Sequence, residues 1–323
     1  MLPNFTYTRP TSVQEVLSHL GQEEETRVMA GGTDLLGCLR DEVFDAAHVV
    51  GINHIDALHG IGKADGGLTI GALTTITEIA EDSVINKAYR GLAMAASEVA
   101  SPQLRNQGTL GGNLCQKPRC WYYRGAFHCL RKGGDICYAV GGENQYHCIL
   151  GGDNCYIVHP SDTAPALTAF EATVHITGPG GIRTIPVERF HVRPADNPQM
   201  ETVLKRDEVL THVTLPNAEG MRSSYRKVRA RRSWDFALAG VALVVHLVDK
   251  RVSRARMVLS GAAPFPWRCR EAEAALEGKE MTAKMAREAA RLAVGQAKPM
   301  SKNGYKIPLL ENVVEEELHK IAG

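Results

Sequence analysis

No stretch of this sequence approaches the roughly 20 consecutive apolar residues that a membrane-crossing helix needs. Its first residues, Met1 to Pro10, lack a basic region followed by an apolar run. The expectation is therefore no membrane span, no secretory signal and a cytoplasmic location, unless a partner bearing a signal carries the chain across a membrane. Charge of one sign is also lacking: 37 Lys and Arg stand against 36 Asp and Glu, a formal net charge of +1. Nothing in that balance singles out nucleic acid or an acidic surface as partner. The basic cluster between Arg222 and Arg232 reads equally well as a solvated face. Repeats and low-complexity segments are absent. The 12 histidines form no HExxH or H-x₃-H pattern, which argues against catalytic zinc. There is no Ser–His–Asp signature, and no G-x-G-x-x-G dinucleotide fingerprint.

What is present begins with 323 residues, 44% hydrophobic and 23% charged. That is an ordinary globular composition, and a length at which one core normally gives way to two or three domains. Three units are expected. Residues 1–55 read as a small α/β subdomain: a capped helix from Thr11, a strand at 27–30 running into a Gly-Gly turn, and a strand at 48–52. Residues 56–217 read as a second α/β subdomain, with a strand at 68–72, helical stretches over 75–100, a helix at 162–170, a hairpin from Thr173 and a strand at 208–215. Residues 218–323 read as an α+β domain: strands at 225–229, 237–247 and 254–259, and helices at 271–276 and 282–294. The apolar run 241–247 suits a buried sheet. Between 115 and 155 all periodicity breaks down.

Two glycine pairs share a pattern, Ala30-Gly31-Gly32-Thr33-Asp34-Leu35 and Thr109-Leu110-Gly111-Gly112-Asn113. Paired glycines allow positive φ and close approach of a ligand to the backbone, and successive N–H groups in such loops hold phosphate. Thr33 and Thr109 add hydroxyl donors. Two such loops could flank a pyrophosphate, although either alone reads as an ordinary tight turn.

The eight cysteines are unevenly placed: six lie from Cys115 to Cys155, while Cys38 and Cys269 stand apart. Without a secretory signal, disulfides explain them poorly, and a cluster favours metal or redox chemistry. Four thiolates around one centre suit zinc or an iron–sulfur cluster. Structural zinc prefers pairs with two to four intervening residues; here eight separate Cys120 from Cys129 and seven separate Cys129 from Cys137, while Cys115 and Cys120, with four between, come nearest. Zinc and free buried thiols remain alternatives on spacing alone.

With these motifs in order, the chain resembles the FAD-binding medium subunits of the xanthine dehydrogenase and carbon monoxide dehydrogenase (molybdenum hydroxylase) family. The resemblance covers essentially the whole length. It rests on the two glycine motifs, the second preceded by Arg105-Asn106-Gln107-Gly108, on Pro160-Ser161-Asp162-Thr163-Ala164, and on Tyr225-Arg226-Lys227 followed by Arg231 and Asp235-Phe236-Ala237. It implies a PCMH-type α+β fold: two FAD-binding α/β subdomains and a C-terminal α+β domain of the CO dehydrogenase flavoprotein type. It implies FAD held by Met29, Ala30, Gly31, Gly32, Thr33, Asp34, Leu35, Ser101, Arg105, Thr109, Leu110, Gly111, Gly112 and Asn113. It also implies Asp162 at the adenosine end, and Leu210 and Lys227 beside the cofactor. A cation such as Lys227 near the flavin N1–O2 edge or the phosphates would stabilise the anionic reduced form.

Simpler members of the family pass almost directly from the second glycine motif to the Ser-Asp motif; here residues 116–159 intervene. The insertion resembles the one that carries a 4Fe–4S cluster in 4-hydroxybenzoyl-CoA reductase and some bacterial aldehyde oxidoreductases. The matching positions are Cys120, Cys129, Cys137 and Cys155. Cys115 falls in the flavin motif and Cys148 where relatives carry a small apolar residue, so neither is expected as a ligand, with Cys148 the rival to Cys155 for the fourth place. The segment from Trp121 to Phe127 is shorter than in the reductase, so that activity does not carry over. The implied role is an oxidoreductase subunit with no side-chain acid or base. It passes electrons between partner 2Fe–2S clusters and an acceptor or donor such as NAD or a ferredoxin, beside a large molybdenum-cofactor subunit and a small 2Fe–2S subunit in a dimer of heterotrimers. Molybdopterin motifs are absent here, as that division of labour requires. A self-contained FAD oxidoreductase, a reductase running in the opposite direction and a zinc-holding assembly module are the alternatives.

Overall fold

The structure, a computed structural model, describes residues 1–22, 25–64 and 66–322. Three sheets organise it. The first holds β1 (Thr6–Thr8), β2 (Thr26–Met29) and β3 (His48–Gly51) in the order β1-β3-β2, all parallel. Central β3 is buried along its whole length, which is why His-Val-Val-Gly reads as a continuous run rather than an alternation. Helix Val13–Gln22 lays Val16 and Leu20, four apart and so on one face, against Val50 and Ile52.

The second sheet is antiparallel, with β4 (Ile61–Ala64), β5 (Gly67–Gly71), β6 (Thr173–Gly178), β7 (Gly181–Pro186) and β8 (Val209–Leu215) in the order β4-β5-β8-β6-β7. Along β6 burial alternates: Val174 and Ile176 point inward while His175 and Thr177 stay partly exposed. The inner face packs against helices Ile76–Glu81, Ser83–Ala88, Arg90–Ser97 and Thr163–Ala169 in one core. The first of these starts with a capping box, Thr75 and Glu78 each satisfying the other's backbone N–H.

The third sheet is antiparallel, in the order β12-β11-β10-β9: β9 (Met221–Val228), β10 (Ala239–Val248), β11 (Arg251–Ser260) and β12 (Trp267–Arg268). On β10, Val241, Leu243 and Val245 face helices Arg270–Leu276, Ala283–Ala293 and Lys306–Ala322, whereas Ala242 and Val244 join the core of the second sheet. Both faces are covered, so the apolar run is continuous even in an antiparallel sheet. Helix Lys306–Ala322 was not anticipated from the sequence. Pro308 sits in its first turn, where the missing N–H costs nothing. Its buried Leu310, Val313, Val314, Glu317, Leu318 and Ile321 follow helical spacing, but Glu317 interrupts the apolar stripe.

The second glycine motif corrects the sequence reading. It is not a tight turn: Leu110–Cys115 is a helix, N-capped by Thr109, whose Oγ1 accepts from Gly112 N at 3.2 Å. Of the four paired glycines only Gly32 takes positive φ, +71°. The cap satisfies the Gly112 amide, and the Leu110 and Gly111 amides donate to Thr74 O and Ala72 O at 2.9 and 2.8 Å.

Residues 116–159 are mostly irregular, with single turns at Trp121–Arg124 and Leu130–Lys132. Long-range polar contacts hold this loop in place. Asn303 Nδ2 donates to the carbonyls of His147 and Cys148, both at 3.1 Å. The buried Lys306 ammonium donates to Tyr146 O and Gly261 O. Asn144 exchanges hydrogen bonds with Ser301 and the Lys302 amide.

Candidate functional site

A cleft of about 610 Å³ lies where the three layers meet, within the range of roughly 300–1,000 Å³ usual for cofactor sites. One wall is Ala30 to Leu35 and the facing wall is Thr109, Gly111, Gly112 and Asn113; Asp162, Leu210 and Lys227 close it. The two glycine segments touch behind the cleft: a Cβ on Gly31 would fall 1.8 Å from Gln107 O, and one on Gly111 would press on Ala72. Glycine is needed at 31 for this close approach and at 32 for its φ. A cradle of backbone lined by small residues fits an elongated phosphate-bearing cofactor, and an added Cβ at Gly31 would disrupt it.

Not every expected residue reaches the cleft. Leu110 is fully buried in the core. Met29, at the end of β2, packs behind Gly32. Ser101 caps helix Pro102–Arg105, and Arg105 Nη1 donates to Val99 O at 2.9 Å. These two order the loop whose Val99, Ala100 and Leu104 form the rim. Asp34 lines the cleft, but its carboxylate is taken by Arg119 Nη1 at 2.5 Å, Arg124 Nη2 at 2.7 Å and the Lys117 amide at 2.7 Å. Burial opposes its ionisation, yet the two guanidinium groups outweigh burial and keep the carboxyl below the usual carboxylate range.

Asp162 and Lys227, 65 residues apart in sequence, form a buried ion pair, Oδ2 to Nζ 2.7 Å. Tyr225 OH donates to Asp162 Oδ1 at 2.7 Å and Lys227 also donates to Glu98 O. Burial raises the Asp162 pKa, with Lys227 and Tyr225 pulling the other way. The 2.7 Å contact sets both side chains at one corner of the cleft.

Trp234, Asp235 and Phe236 also line it. Trp234 N donates to Ala100 O at 2.9 Å, and both residues hold positive φ, +51° and +43°. No residue type at either position advertises that conformation, so the contact was not readable in the sequence. A second chamber of about 390 Å³ shares Arg119, Pro160, Asp162, Asp235 and Phe236 with the cleft and extends to Cys120, Trp121 and His147.

The cysteine loop brings its thiols into one neighbourhood. Cys155 acts electrostatically on Cys120, Cys137 and Cys148, and Cys129 acts on Cys137. Cys120 and Cys129 share a small apolar cluster with Tyr123 and Tyr138. Burial raises Cys120 to about 11, against the amides of Tyr123 and Tyr122 that face its sulfur. Burial likewise raises Cys137, against the amides of Tyr156 and Ala139. Arg131, buried and paired with Glu201 at 2.9 Å, presents its guanidinium to Cys155. Cys148, also raised by burial, lies toward Lys306. Cys115 is raised to about 12 by burial. Among the described residues no group of three or more His, Cys, Asp or Glu side chains is drawn together as a site for a metal ion, and no helix is long and apolar enough to cross a membrane.

Residues 3–218 match the family described as FAD binding domain in molybdopterin dehydrogenase, and residues 223–320 match CO dehydrogenase flavoprotein C-terminal domain. The chain belongs to the FAD-binding subunits of the molybdopterin dehydrogenases. It is similar to the aldehyde oxidoreductase FAD-binding subunit PaoB of Escherichia coli, 36% identical over 277 residues that cover 84% of this chain and 86% of the relative. It is also similar to the carbon monoxide dehydrogenase medium chain of Hydrogenophaga pseudoflava, 29% identical over 92% of this chain and 88% of the relative. A solved carbon monoxide dehydrogenase from Hydrogenophaga pseudoflava superposes with a TM-score of 0.80 at 28% identity, covering 99% of this chain and 98% of the other. The fold is thus the α+β architecture of these flavoproteins, and the chain is an oxidoreductase subunit that binds FAD.

Proposed function

We propose that this flavoprotein is the electron relay of a heteromeric molybdenum hydroxylase, with FAD in the cleft and a 4Fe–4S cluster on Cys120, Cys129, Cys137 and Cys155. The observation that carries the reading is the convergence of both glycine segments and the Asp162–Lys227 pair on one cleft, from which a chamber leads to Cys120. FAD supplies exchange between electron pairs and single electrons, which no side chain here can.

The chain's own residues bind and orient. In this reading the amides of Gly31 to Asp34 take the pyrophosphate and Thr33 adds a hydroxyl, while Gly111 and Gly112, whose own amides are bonded to Ala72 O and Thr109 Oγ1, leave room for the cofactor on the facing wall. Leu210 packs against the cofactor. The Asp162–Lys227 corner takes the ring-bearing end, because that corner adjoins the chamber reaching Cys120. Asp162 neutralises Lys227 within a buried pair, so the ammonium is held in place for an anionic ring without a net buried charge. Cys155 is the fourth thiolate and Cys148 is not, since Cys155 neighbours Cys120 and the Arg131 guanidinium, whereas Cys148, although also near Cys137 and Cys155, lies toward Lys306. Units of 1–55, 56–217 and 218–323 accompany this assignment. The partners are a large molybdenum-cofactor subunit and a small 2Fe–2S subunit in a dimer of heterotrimers, exchanging electrons with NAD or a ferredoxin-type protein.

The test is the purified complex. Denaturation should release FAD, and iron and acid-labile sulfide should exceed the content of the 2Fe–2S subunit by four of each per relay chain. Flavin without the additional iron and sulfide would leave an FAD subunit and remove the cluster.

A further inference from the structure

His147 meets a cysteine sulfur directly, its Nε2 standing 3.3 Å from Cys120 Sγ. The ring is buried, and its Nδ1 has no hydrogen-bond partner. An imidazole ring carries at least one N–H. A proton on Nδ1 would be a buried donor without an acceptor, and Nε2 would then turn a lone pair toward sulfur. The proton therefore belongs on Nε2, aimed at Cys120. The ring cannot easily swing away. Asn303 holds the His147 carbonyl, the His147 amide donates to Asn144 O, and the Trp121 ring packs edge-on at 5.9 Å. Cys120 and His147 both line the chamber that adjoins Asp162 and Phe236, the side of the loop nearest the flavin cleft.

We propose that His147 is a positioning residue for the iron–sulfur centre: its Nε2–H donates to the Cys120 sulfur and raises the reduction potential of the cluster. The inference rests on the reading that Cys120, Cys129, Cys137 and Cys155 hold a 4Fe–4S cluster. The physical cause is direct. A hydrogen bond to a ligand sulfur withdraws electron density from the thiolate, lessens its donation to iron and favours the added electron. On the flavin-facing cysteine this makes the cluster a better acceptor for electrons from the cleft.

The experiment uses the whole complex purified without oxygen, as wild type, His147→Leu and His147→Gln. Iron and sulfide are assayed first, and the cluster is then titrated with a reductant while its EPR signal is followed. All three should keep the cluster. His147→Leu should shift the one-electron equilibrium about tenfold toward the oxidised state, about 59 mV. His147→Gln, which retains an N–H donor, should recover most of that shift. Pulsed EPR of reduced wild type carrying isotope-labelled histidine should show a weak nitrogen coupling that disappears in His147→Leu. An unchanged midpoint in His147→Leu overturns the proposal. So does a nitrogen coupling as strong as that of an iron ligand, or the absence of any coupling. If a variant loses its cluster, the coupling in wild type decides. Wild-type complex without the additional iron and sulfide overturns the cluster reading itself, a result separable from all of these.

Discussion

Replacing Lys227 with Met leaves the Asp162 carboxylate in the core with only Tyr225 to satisfy it. The two side chains of the pair are 1% and 5% exposed, so water cannot substitute for the ammonium. Removing one partner of such a pair costs about 3–5 kcal/mol. The size should depend on pH, and the sign follows from Asp162. Burial raises its native pKa even with Lys227 present, above the value of about 3.9 expected in the unfolded chain. The native state therefore holds the proton more tightly, and stability falls as pH rises from about 4 through the native pKa. Without Lys227 the native pKa climbs further and the window widens upward. Urea unfolding of the flavin-free chain at pH 5 and pH 8 measures this. The deficit of Lys227→Met should be several kcal/mol at pH 8 and smaller at pH 5, where the carboxyl can take up a proton. The double variant Asp162→Asn with Lys227→Met should cost less than the sum of the singles by more than about 1 kcal/mol. A deficit at pH 8 below about 1 kcal/mol, or strict additivity, would refute the claim that these groups act as one buried pair.

Three other outcomes are expected. Cys155→Ser should lose the additional iron and sulfide while Cys148→Ser keeps them; the reverse pattern would exchange their roles. Gly31→Ala sets a Cβ 1.8 Å from Gln107 O and should force the two glycine segments apart, so flavin released from the purified variant should be depleted, and full occupancy would contradict the cradle. Asp34 has a depressed pKa, so its stabilisation is present above the unfolded value of about 3.9 and is lost as pH falls through the native one. The urea midpoint should therefore drop in that acid range in wild type and much less in Asp34→Asn; equal drops would place the acid sensitivity elsewhere.

The sheets were legible because the apolar pattern is local. Strands around 68–72, 208–215 and 237–247 and helices from 162 and 282 all lie where alternation or helical spacing placed them, within a few residues at their ends. Helix Lys306–Ala322 was not, because Glu317 breaks its stripe and is buried all the same. The helical form of Leu110–Cys115 was hidden by its two glycines, poor helix formers that tertiary packing against Ala72 overrides. Most expected cleft residues do meet, but the ion pairs that connect them were not foreseen. Asp34 with Arg119 and Arg124, and Asp162 with Lys227, join segments far apart in sequence, and neither partner carries a local sign of the other. The contact of Trp234 with Ala100 depends on two backbone conformations that single residues rarely announce.

These ion pairs make the cysteine loop part of the cofactor cleft. Asp34 belongs to the first glycine segment, while Arg119 and Arg124 flank Cys120. A cofactor that orders residues 30–35 thus also orders the start of the cysteine loop, and a cluster that fixes Cys120 fixes the arginines that hold Asp34. Two ligands that each favour the same arrangement bind cooperatively, and the coupling is reciprocal. Protein made without the proposed cluster, as in Cys155→Ser, should bind FAD more weakly than wild type, by a factor of about 5 or more if the coupling is ordinary. Replacing both arginines, Arg119→Gln with Arg124→Gln, should cut that factor toward unity, because the link is severed while both sites remain. Fluorescence titration of FAD into cluster-bearing and cluster-free protein, with and without the arginines, measures the coupling as a ratio of dissociation constants. A ratio of one in wild type would mean that the cysteine loop and the flavin cleft share a boundary without sharing energy.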